Sequence, residues 1–312
     1  MYKSIYGEQA AFAFIKVFGS PFLRKTGADC MVKQFYHFFF RQYRAALQPG
    51  RIPVTPVDHP LDGKIPFTPS WVHVYLDFVG FWLRVIGFLH HTFARRSDEA
   101  IEKLILSVRR IYLAAAGIYG KNLSTTSRPF YIASPHFFFI HLLDPHLLCI
   151  PSLHVMVVIN AHIQFRDIVR GMGREAEFFR QTKELERGAA AITESLLYVK
   201  QHSINCVAAA MYVLTCVDRR LFPEEEAEAF VSRLFSGAAW APRMPKTRLP
   251  EEDGRAVREH ILSMYRRFIE EGHEAKTWEA PLLDFLRSLQ GKNGKNNANR
   301  KGPAPAGRTN VP

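Results

Sequence analysis

Three polar blocks interrupt the apolar middle of this chain: Lys121-Asn-Leu-Ser-Thr-Thr-Ser-Arg128-Pro129, Pro151-Ser152-Leu153-His154, and Ser195-Leu-Leu-Tyr-Val-Lys200-Gln201-His202-Ser-Ile-Asn-Cys206. Each block is short, and each alone would be a weak signal. Their fixed order along the chain makes the set informative.

The first two blocks carry side chains suited to binding a phosphate. Enzymes that move a phosphoryl group rely on positioning and electrostatic stabilisation. Lys121 supplies a point charge and Arg128 a planar fork that can hold two oxygens. Ser152 follows a proline and precedes an apolar run, so it is predicted to cap a helix whose free N–H groups point at an anion. His154, in the first helical turn, could protonate a leaving oxygen.

The third block is predicted to be helical. Ser195, Tyr198, His202 and Cys206 would then lie on one stripe of the helix, with Cys206 one turn beyond the histidine. A histidine at this position could attack phosphorus directly and form a phospho-histidine intermediate.

Together the blocks resemble the motifs of the type 2 phosphatidic acid phosphatase family, which is related to vanadium-dependent haloperoxidases and bacterial non-specific acid phosphatases. The family motifs are Lys-x6-Arg-Pro, Pro-Ser-x-His and Ser-Arg-x5-His-x3-Asp, and the first two match at every defined position. Upstream, Leu61-Asp-Gly-Lys-Ile-Pro-Phe-Thr-Pro69 followed by Tyr75 looks like the segment before the first core helix of membrane members. The likeness covers roughly residues 60–220.

The resemblance implies a role for each block. His202 would be the nucleophile and His154 the general acid, and neither a metal nor another cofactor would be needed. The phosphate would be held by Lys121, Arg128, Ser152 and the backbone at Leu153.

The third block departs from the family motif at two positions, Leu196 and Cys206. Leu196 replaces the usual arginine, but lipid-synthase-like branches also lack it and carry Lys-Gln-His, as Lys200–His202 do here. Cys206 replaces the aspartate that orients the nucleophile. A thiol cannot stabilise an imidazolium as a carboxylate does, and loss of an orienting aspartate in a protease triad costs up to about four orders of magnitude in rate. Within this block, Ser195, Lys200 and Cys206 are candidates for residues that support His202 without touching the phosphate.

Helical periodicity predicts an all-α protein, a helical bundle of the type found in that family with an appended C-terminal helical region. Helices are expected at about 71–95, 98–118, 153–170, 174–201 and 203–220. Four regions follow from this pattern: an N-terminal helical and aromatic segment (1–60), a phosphatase-like core (61–222), a C-terminal helical region (223–290) and a basic, disordered tail (291–312).

Composition bounds the partners and the location. The 312 residues carry a net charge of +12, which favours anionic partners: a phosphorylated small molecule, a lipid phosphate or an anionic membrane surface. No nucleic-acid-binding motif is present, so no specific nucleic-acid partner is expected. The N-terminus has no signal-peptide pattern, and charges interrupt the apolar helices. A cytoplasmic or membrane-associated protein is expected, with membrane insertion left open. The four cysteines show no ligand spacing and are expected to be reduced.

Other polar residues are interpreted as structural. The histidines at 136, 141, 146 and 162 match no zinc pattern and are expected to be satisfied core or surface residues. Asp62 and Asp144 could support a site from behind the residues that touch the ligand, but roles in turns or caps are favoured.

The sequence therefore favours a metal-independent phosphomonoesterase or phosphoryl transferase that uses a phospho-histidine intermediate. The first alternative is a catalytically impaired relative that binds anionic ligands or lipid head groups. The second is a membrane-surface scaffold that works through its aromatic N-terminal and basic C-terminal parts.

Overall fold

The computed structural model describes residues 3–300, with side chains through residue 291. It is mostly helical, which confirms the prediction of an all-α protein. The N-terminal half contains α1 (Ala10–Gly19), α2 (Arg24–Gln34), a π-helical turn (Phe35–Phe40), α3 (Arg41–Leu47), β1 (Val54–Pro56), α4 (Val72–Tyr75), α5 (Phe78–Phe93), α6 (Asp98–Tyr119) and β2 (Leu123–Thr125). The C-terminal half contains α7 (Pro135–Leu143), α8 (Leu153–Gly171), α9 (Phe179–Tyr198), α10 (Ile204–Val217), α11 (Glu224–Arg233), α12 (Glu251–Glu274) and α13 (Ala280–Arg300).

Helix α8 is the centre of the bundle. It packs against α5, α6, α9 and α10, and almost all of its side chains are buried. A helix that is apolar on every face has to be enclosed on every face. The continuous apolar run after His154 therefore explains why this helix forms the core, and its N-terminus is fixed in position by the surrounding helices.

The outer helices continue the same hydrophobic core. Helix α1 packs on α5, α2 on α6, and α12 along α10. A single cluster of buried apolar residues extends from Ile5 to Leu286. The described part of the chain thus packs around one core.

The C-terminal helix extends further than its composition suggested. Leu282 and Leu286 are fully buried and anchor its first half, and the helix continues to Arg300. Elongation from an anchored helix adds one hydrogen bond per residue without a new nucleation cost. The predicted disordered tail began at residue 291; residues 301–312 of that tail lie outside the described residues.

A small parallel sheet was not expected from the sequence. Strand β1 pairs with β2, with Val54 opposite Leu123 and Pro56 opposite Thr125. On its other side, Ser124 bonds to the 147–149 segment: its N–H donates to the Leu147 carbonyl (3.0 Å), and its carbonyl accepts from the Cys149 N–H (3.2 Å). Three-residue strands are too short to show an alternating pattern. The sheet joins the first block to the segment that leads into α8.

One helical stretch among the described residues passes a length-and-composition test for crossing a membrane. It is Pro69–Tyr119, in which an 18-residue window has a mean hydropathy of 1.5. Charged residues interrupt this stretch, among them Asp77, Arg84 and Arg109. In addition, 56% of the window is buried inside the protein, as it would be in the core helix of a globular domain. The stretch is compatible with membrane association.

Candidate active site

Two predicted histidines meet at the N-terminus of α8. Ser152 caps this helix as predicted, with its Oγ accepting from the Val155 N–H at 3.5 Å. His154 lies in the first turn, and its Nδ1 is 3.3 Å from the Nε2 of His202. The same Nε2 is 3.5 Å from Ser152 Oγ. The second and third blocks therefore come together in space.

The third block is not one helix, so the predicted stripe from Ser195 to Cys206 is wrong. Helix α9 ends at Tyr198, Lys200 adopts a positive φ of 57°, and Ser203 caps the start of α10. A left-handed residue ends a helix by redirecting the chain, and a serine N-cap begins the next one. His202 therefore lies in the short loop between two helices.

This loop is braced from outside by the segment around Asp62. The Lys200 ammonium donates to the carbonyls of Asp62 and Ile65. The Asp62 carboxylate accepts from the Ile204 N–H at 2.9 Å, at the start of α10, and from the His59 N–H at 2.7 Å. The expected capping role of Asp62 is confirmed. Lys200 supports the site by fixing the loop that carries His202.

Arg128 reaches the site from the end of the first block. Its guanidinium donates to Gln201 Oε1 at 3.1 Å and to the Asp144 carbonyl at 2.9 Å, and it lies 3.6 Å from the Asp144 carboxylate. Gln201 precedes His202, so Arg128 ties the first block to the third. Its side chain is only 16% exposed. The site thus has a fixed, half-buried cation.

His146 and Asp144 join this cluster, although the sequence favours a structural role for each. The His146 ring is 6.5 Å from that of His202, centre to centre. Its Nε2 lies 2.7 Å from Thr126 Oγ1, and its Nδ1 lies 3.7 Å from the Asp144 carboxylate. The Cys149 sulfur is 3.6 Å from the same Nε2. The only sequence signal for this group is its place immediately before the second block.

Charge on the cluster is set by burial and by neighbours. Burial disfavours a charged His146 ring, but the nearby Cys149 sulfur and Asp144 carboxylate outweigh it and raise the pKa of His146 to about 9. Burial also opposes the Asp144 carboxylate, but hydrogen bonds and charge from His146, with Arg128, lower its pKa to about 2. At neutral pH Asp144 is therefore an anion, and it lies between the Arg128 guanidinium and the His146 ring, whose protonated form it favours.

The two central histidines are neutral at the same pH. Burial lowers the pKa of His154 to about 4. Burial, followed by the neighbouring His154 and His146, places the pKa of His202 well below its ordinary value. A neutral imidazole has a free lone pair, which a nucleophile needs. The protonation state suits His202 as an attacking group.

The remaining predicted residues lie around or outside this cluster. Leu153 is buried, and its N–H and that of His154, as the first two helical residues, have no intrahelical acceptor. Ser195 is buried in α9 and donates to the Ile192 carbonyl at 2.6 Å. Lys121 is not brought to the histidines. It lies before β2, is more than half exposed, and pairs with Glu279 at 3.3 Å.

Cys206 lies fully buried inside α10, and burial places the pKa of its thiol well above the ordinary range. The Nδ1 atom of His202 is buried and has no well-formed hydrogen bond. The Cys149 backbone lies near the ring and acts to raise the pKa of His202, but burial outweighs it. No described carboxylate therefore orients the His202 ring.

An apolar cavity of about 270 Å³ opens beside His154. Its lining residues come from α1, α2, the π-helical turn, α5 and α6, and include Leu153 and His154 at the start of α8. On the same side, Tyr75 stacks on His154 with ring centres 5.2 Å apart, and Phe78 lies at 4.1 Å. The cluster therefore has a polar side around Arg128 and an apolar side around Phe78.

Within residues 3–291, no group of three or more His, Cys, Asp or Glu side chains is arranged to hold a metal ion. Comparison of the chain with protein-family models, with curated proteins and with solved structures finds no match.

Proposed function

We propose that this protein is a metal-independent phosphomonoesterase or phosphoryl transferase of the type 2 phosphatidic acid phosphatase kind. The observation that carries the proposal is the 3.3 Å approach of His202 Nε2 to His154 Nδ1 at a capped helix N-terminus. Arg128 lies next to this pair through Gln201. A nucleophile, an acid and an anion-binding terminus thus occupy one place.

In this mechanism His202 Nε2 attacks the phosphorus, and the bond from phosphorus to the leaving oxygen breaks. The leaving alcohol takes a proton from His154. Arg128, Ser152 and the free N–H groups of Leu153 and His154 stabilise the charge on the phosphoryl oxygens. His154 then takes a proton from water, the water attacks the phospho-histidine, and inorganic phosphate leaves. In transferase chemistry an acceptor alcohol replaces the water.

The general acid has to be protonated before the first step. In the free protein burial lowers the pKa of His154 to about 4. A bound phosphate ester brings negative charge next to the ring, and a nearby opposite charge favours the protonated form. Substrate binding is therefore expected to raise the pKa of His154 and to favour the protonated ring that acid catalysis needs.

The apolar cavity supports an amphiphilic substrate such as a lipid phosphate. A phosphate at the α8 N-terminus would place the leaving group beside His154, where the cavity begins. The cavity is lined by aliphatic and aromatic residues, among them Val17, Phe39 and Trp82. An acyl or prenyl chain gains about 0.8 kcal/mol for each CH₂ group removed from water.

The first experiment is phosphate release from an aryl phosphate in the presence of EDTA. We expect turnover by the wild type and loss of turnover in His202→Ala. His136→Ala is the matched control, because His136 is exposed and contacts none of the cluster residues named above. Turnover that survives in His202→Ala would refute the phospho-histidine mechanism.

A second experiment tests the cavity. Met31 lines the cavity at its exposed rim, whereas its neighbour Val32 is exposed and does not line it. Met31→Trp should raise KM for a long-chain phosphatidic acid in micelles and leave hydrolysis of the aryl phosphate unchanged. Val32→Trp should change neither. Equal effects of the two variants would show that the cavity does not hold the chain.

A second candidate function is binding without turnover. It is favoured by the His202 Nδ1 atom, which lacks a well-formed hydrogen bond where an orienting carboxylate would act. Such a protein would be stabilised against heat by vanadate or phosphate in an Arg128-dependent way, and no substrate would be consumed.

We also propose an anionic membrane surface as a partner. The π-helical turn exposes Phe35, Tyr36, Phe39 and Phe40, and aromatic side chains next to basic ones suit the bilayer interface. Binding to vesicles that contain anionic lipid, measured by sedimentation, tests this partner; binding that is unchanged in Phe35→Ser/Phe39→Ser would contradict it.

A further inference from the structure

A large cavity lies outside the candidate active site, between α3 and the parallel sheet. Its volume is about 680 Å³, within the range of small-molecule sites. The end of the π-helical turn, α3, the 48–52 turn, the ends of β1 and β2, and the 145–147 turn form its described walls. Neither the resemblance nor the proposed reaction uses this space.

The cavity wall is strongly cationic. Arg41, Arg44 and Arg51 line it, and none of its described lining residues is acidic. Most buried or half-buried arginines in this protein have a carboxylate partner, as Arg84 has in Asp77 and Arg166 has in Glu226. Within the described residues, Arg41 is half-buried and Arg44 is exposed, and neither has a carboxylate partner. Two unpaired guanidinium groups in one wall repel each other, and a bound anion would relieve that repulsion.

The head of Arg41 lies close to the backbone at Gly120. Its Nη1 lies 2.6 Å from the point where a Cβ atom would stand on Gly120, which also lines the cavity. Any larger residue at 120 would displace the guanidinium. Burial, together with Arg44, lowers the pKa of Arg41. The arginine is thus partly desolvated, and charged hydrogen bonds are strongest in such a setting.

The other walls are apolar and partly flat. Tyr36 and Phe40 stack with ring centres 5.4 Å apart and an angle of 15° between the planes. Ile52, Val54 and Leu123 lie on the sheet side. A ligand that fills this space would combine several anionic oxygens, which arginine forks bind in pairs, with an apolar or planar part.

The cavity and the candidate active site share one turn but use different residues of it. Pro145 and Leu147 face the cavity, whereas Asp144 and His146 contact Arg128 and Thr126. Gln42 of α3 lies across the turn, donating to Asp144 Oδ1 at 2.9 Å and accepting from the Leu147 N–H at 3.3 Å. The two sites are therefore distinct neighbours.

We propose that this cavity is a second anion-binding site that takes a polyphosphorylated small molecule, with Arg41, Arg44 and Arg51 as its phosphate ligands. The site is independent of the proposed phosphatase reaction, and it would exist in a catalytically inactive protein as well.

The test is a calorimetric titration of the full chain with pyrophosphate and, separately, with ATP. His202→Ala is used as the background so that turnover does not consume the probe. We expect saturable binding whose Kd rises at least tenfold in Arg41→Ala and in Arg44→Ala. Arg96→Ala is the charge-matched control, because Arg96 is exposed and lies outside the cavity. Gly120→Ala keeps every charge but displaces the Arg41 head, and it should also weaken binding.

Several outcomes would overturn the proposal. One is no saturable binding of either probe at millimolar concentration. Another is equal weakening by Arg96→Ala, which would show general attraction to a basic protein. A third is binding that is lost in Arg128→Ala and kept in Arg41→Ala, which would place the probe at the histidines. Thermal unfolding of each variant identifies any that fail to fold, and in that case Gly120→Ala and Arg44→Lys carry the test.

Discussion

Arg128 and Lys121 belong to one sequence motif but have different surroundings in the structure, so replacing each with alanine tests the site directly. Arg128 is half-buried and donates to Gln201, the residue before His202. Lys121 and Arg128 lie at opposite ends of β2, and this strand alone spans about 10 Å. The Lys121 ammonium pairs with Glu279. The motif predicts that both variants lose activity. The structure predicts that only Arg128→Ala loses activity.

The expected magnitudes follow from these contacts. Removing one preorganised donor to a developing oxyanion costs about 10²–10³ in rate, and we expect a loss of that size in kcat/KM for Arg128→Ala. The Lys121–Glu279 pair is an exposed ion pair with the lysine side chain 53% accessible. Such pairs contribute about 0–1 kcal/mol to stability. Because this pair includes none of the cluster residues, Lys121→Ala should change kcat/KM by less than about threefold, which corresponds to about 0.7 kcal/mol.

The assay is initial-rate hydrolysis of an aryl phosphate by wild type, Lys121→Ala, Arg128→Ala and Arg128→Lys, with thermal unfolding of each. Arg128→Lys keeps the charge and removes the fork, so it should fall between the wild type and Arg128→Ala. Where no protein turns over, vanadate affinity replaces the rate. A well-folded Lys121→Ala that loses as much activity as Arg128→Ala would refute the arrangement of β2 described here.

Three further predictions concern protonation. Asp144→Asn should lower the pKa of His146 from about 9, seen by NMR titration of its ring protons; an unchanged value would show that Asp144 does not act on it. Because the folded pKa is above the unfolded one, His146 stabilises the fold below pH 6.5 and that contribution is lost as pH rises towards 9. Burial lowers the pKa of His162 to about 3, so at acid pH the ring takes up a proton when the protein unfolds. At pH 5 this lowers the free energy of unfolding by about 2 kcal/mol relative to its value well above pH 6.5. In chemical denaturation, the free energy of unfolding of His162→Leu should therefore fall less steeply with decreasing pH than that of the wild type, and an identical slope would contradict this. Finally, kcat/KM should rise as pH falls below neutrality because His154 must be protonated; a flat profile would remove His154 as the acid.

The sequence predicted the helical core well because the signals there are local and repeated. The apolar run after His154 is long enough to identify α8, and Ser152 has the residue type and the context of an N-cap. Arg128, His154 and His202 also converge. These predictions depend on contacts within one helix or on a motif that already encodes proximity.

The parts that sequence did not predict depend on contacts between distant segments. Lys200 at a positive φ is stabilised by the carbonyls of Asp62 and Ile65, far away in the chain, so helical periodicity alone placed Ser195 and Cys206 on one stripe. The spacing of His146 predicts only a satisfied core or surface histidine, whereas its actual neighbours, Thr126 and Asp144, come together through the three-residue strand β2. Short strands and single left-handed residues carry little sequence signal, yet they determine which side chains meet.

The brace around the His202 loop also bears on the substitution of Cys206. An orienting carboxylate fixes a catalytic histidine through its ring nitrogen. Here the loop backbone is fixed instead, by Lys200 on one side and by the Asp62 carboxylate at the first N–H group of α10 on the other. Such a brace can hold the loop that carries His202 but cannot stabilise the positive charge that the ring acquires when its Nε2 bonds to phosphorus. The geometry of a phosphate site and the rate at which it turns over are therefore separable properties in this chain, which is why binding and turnover have to be measured independently.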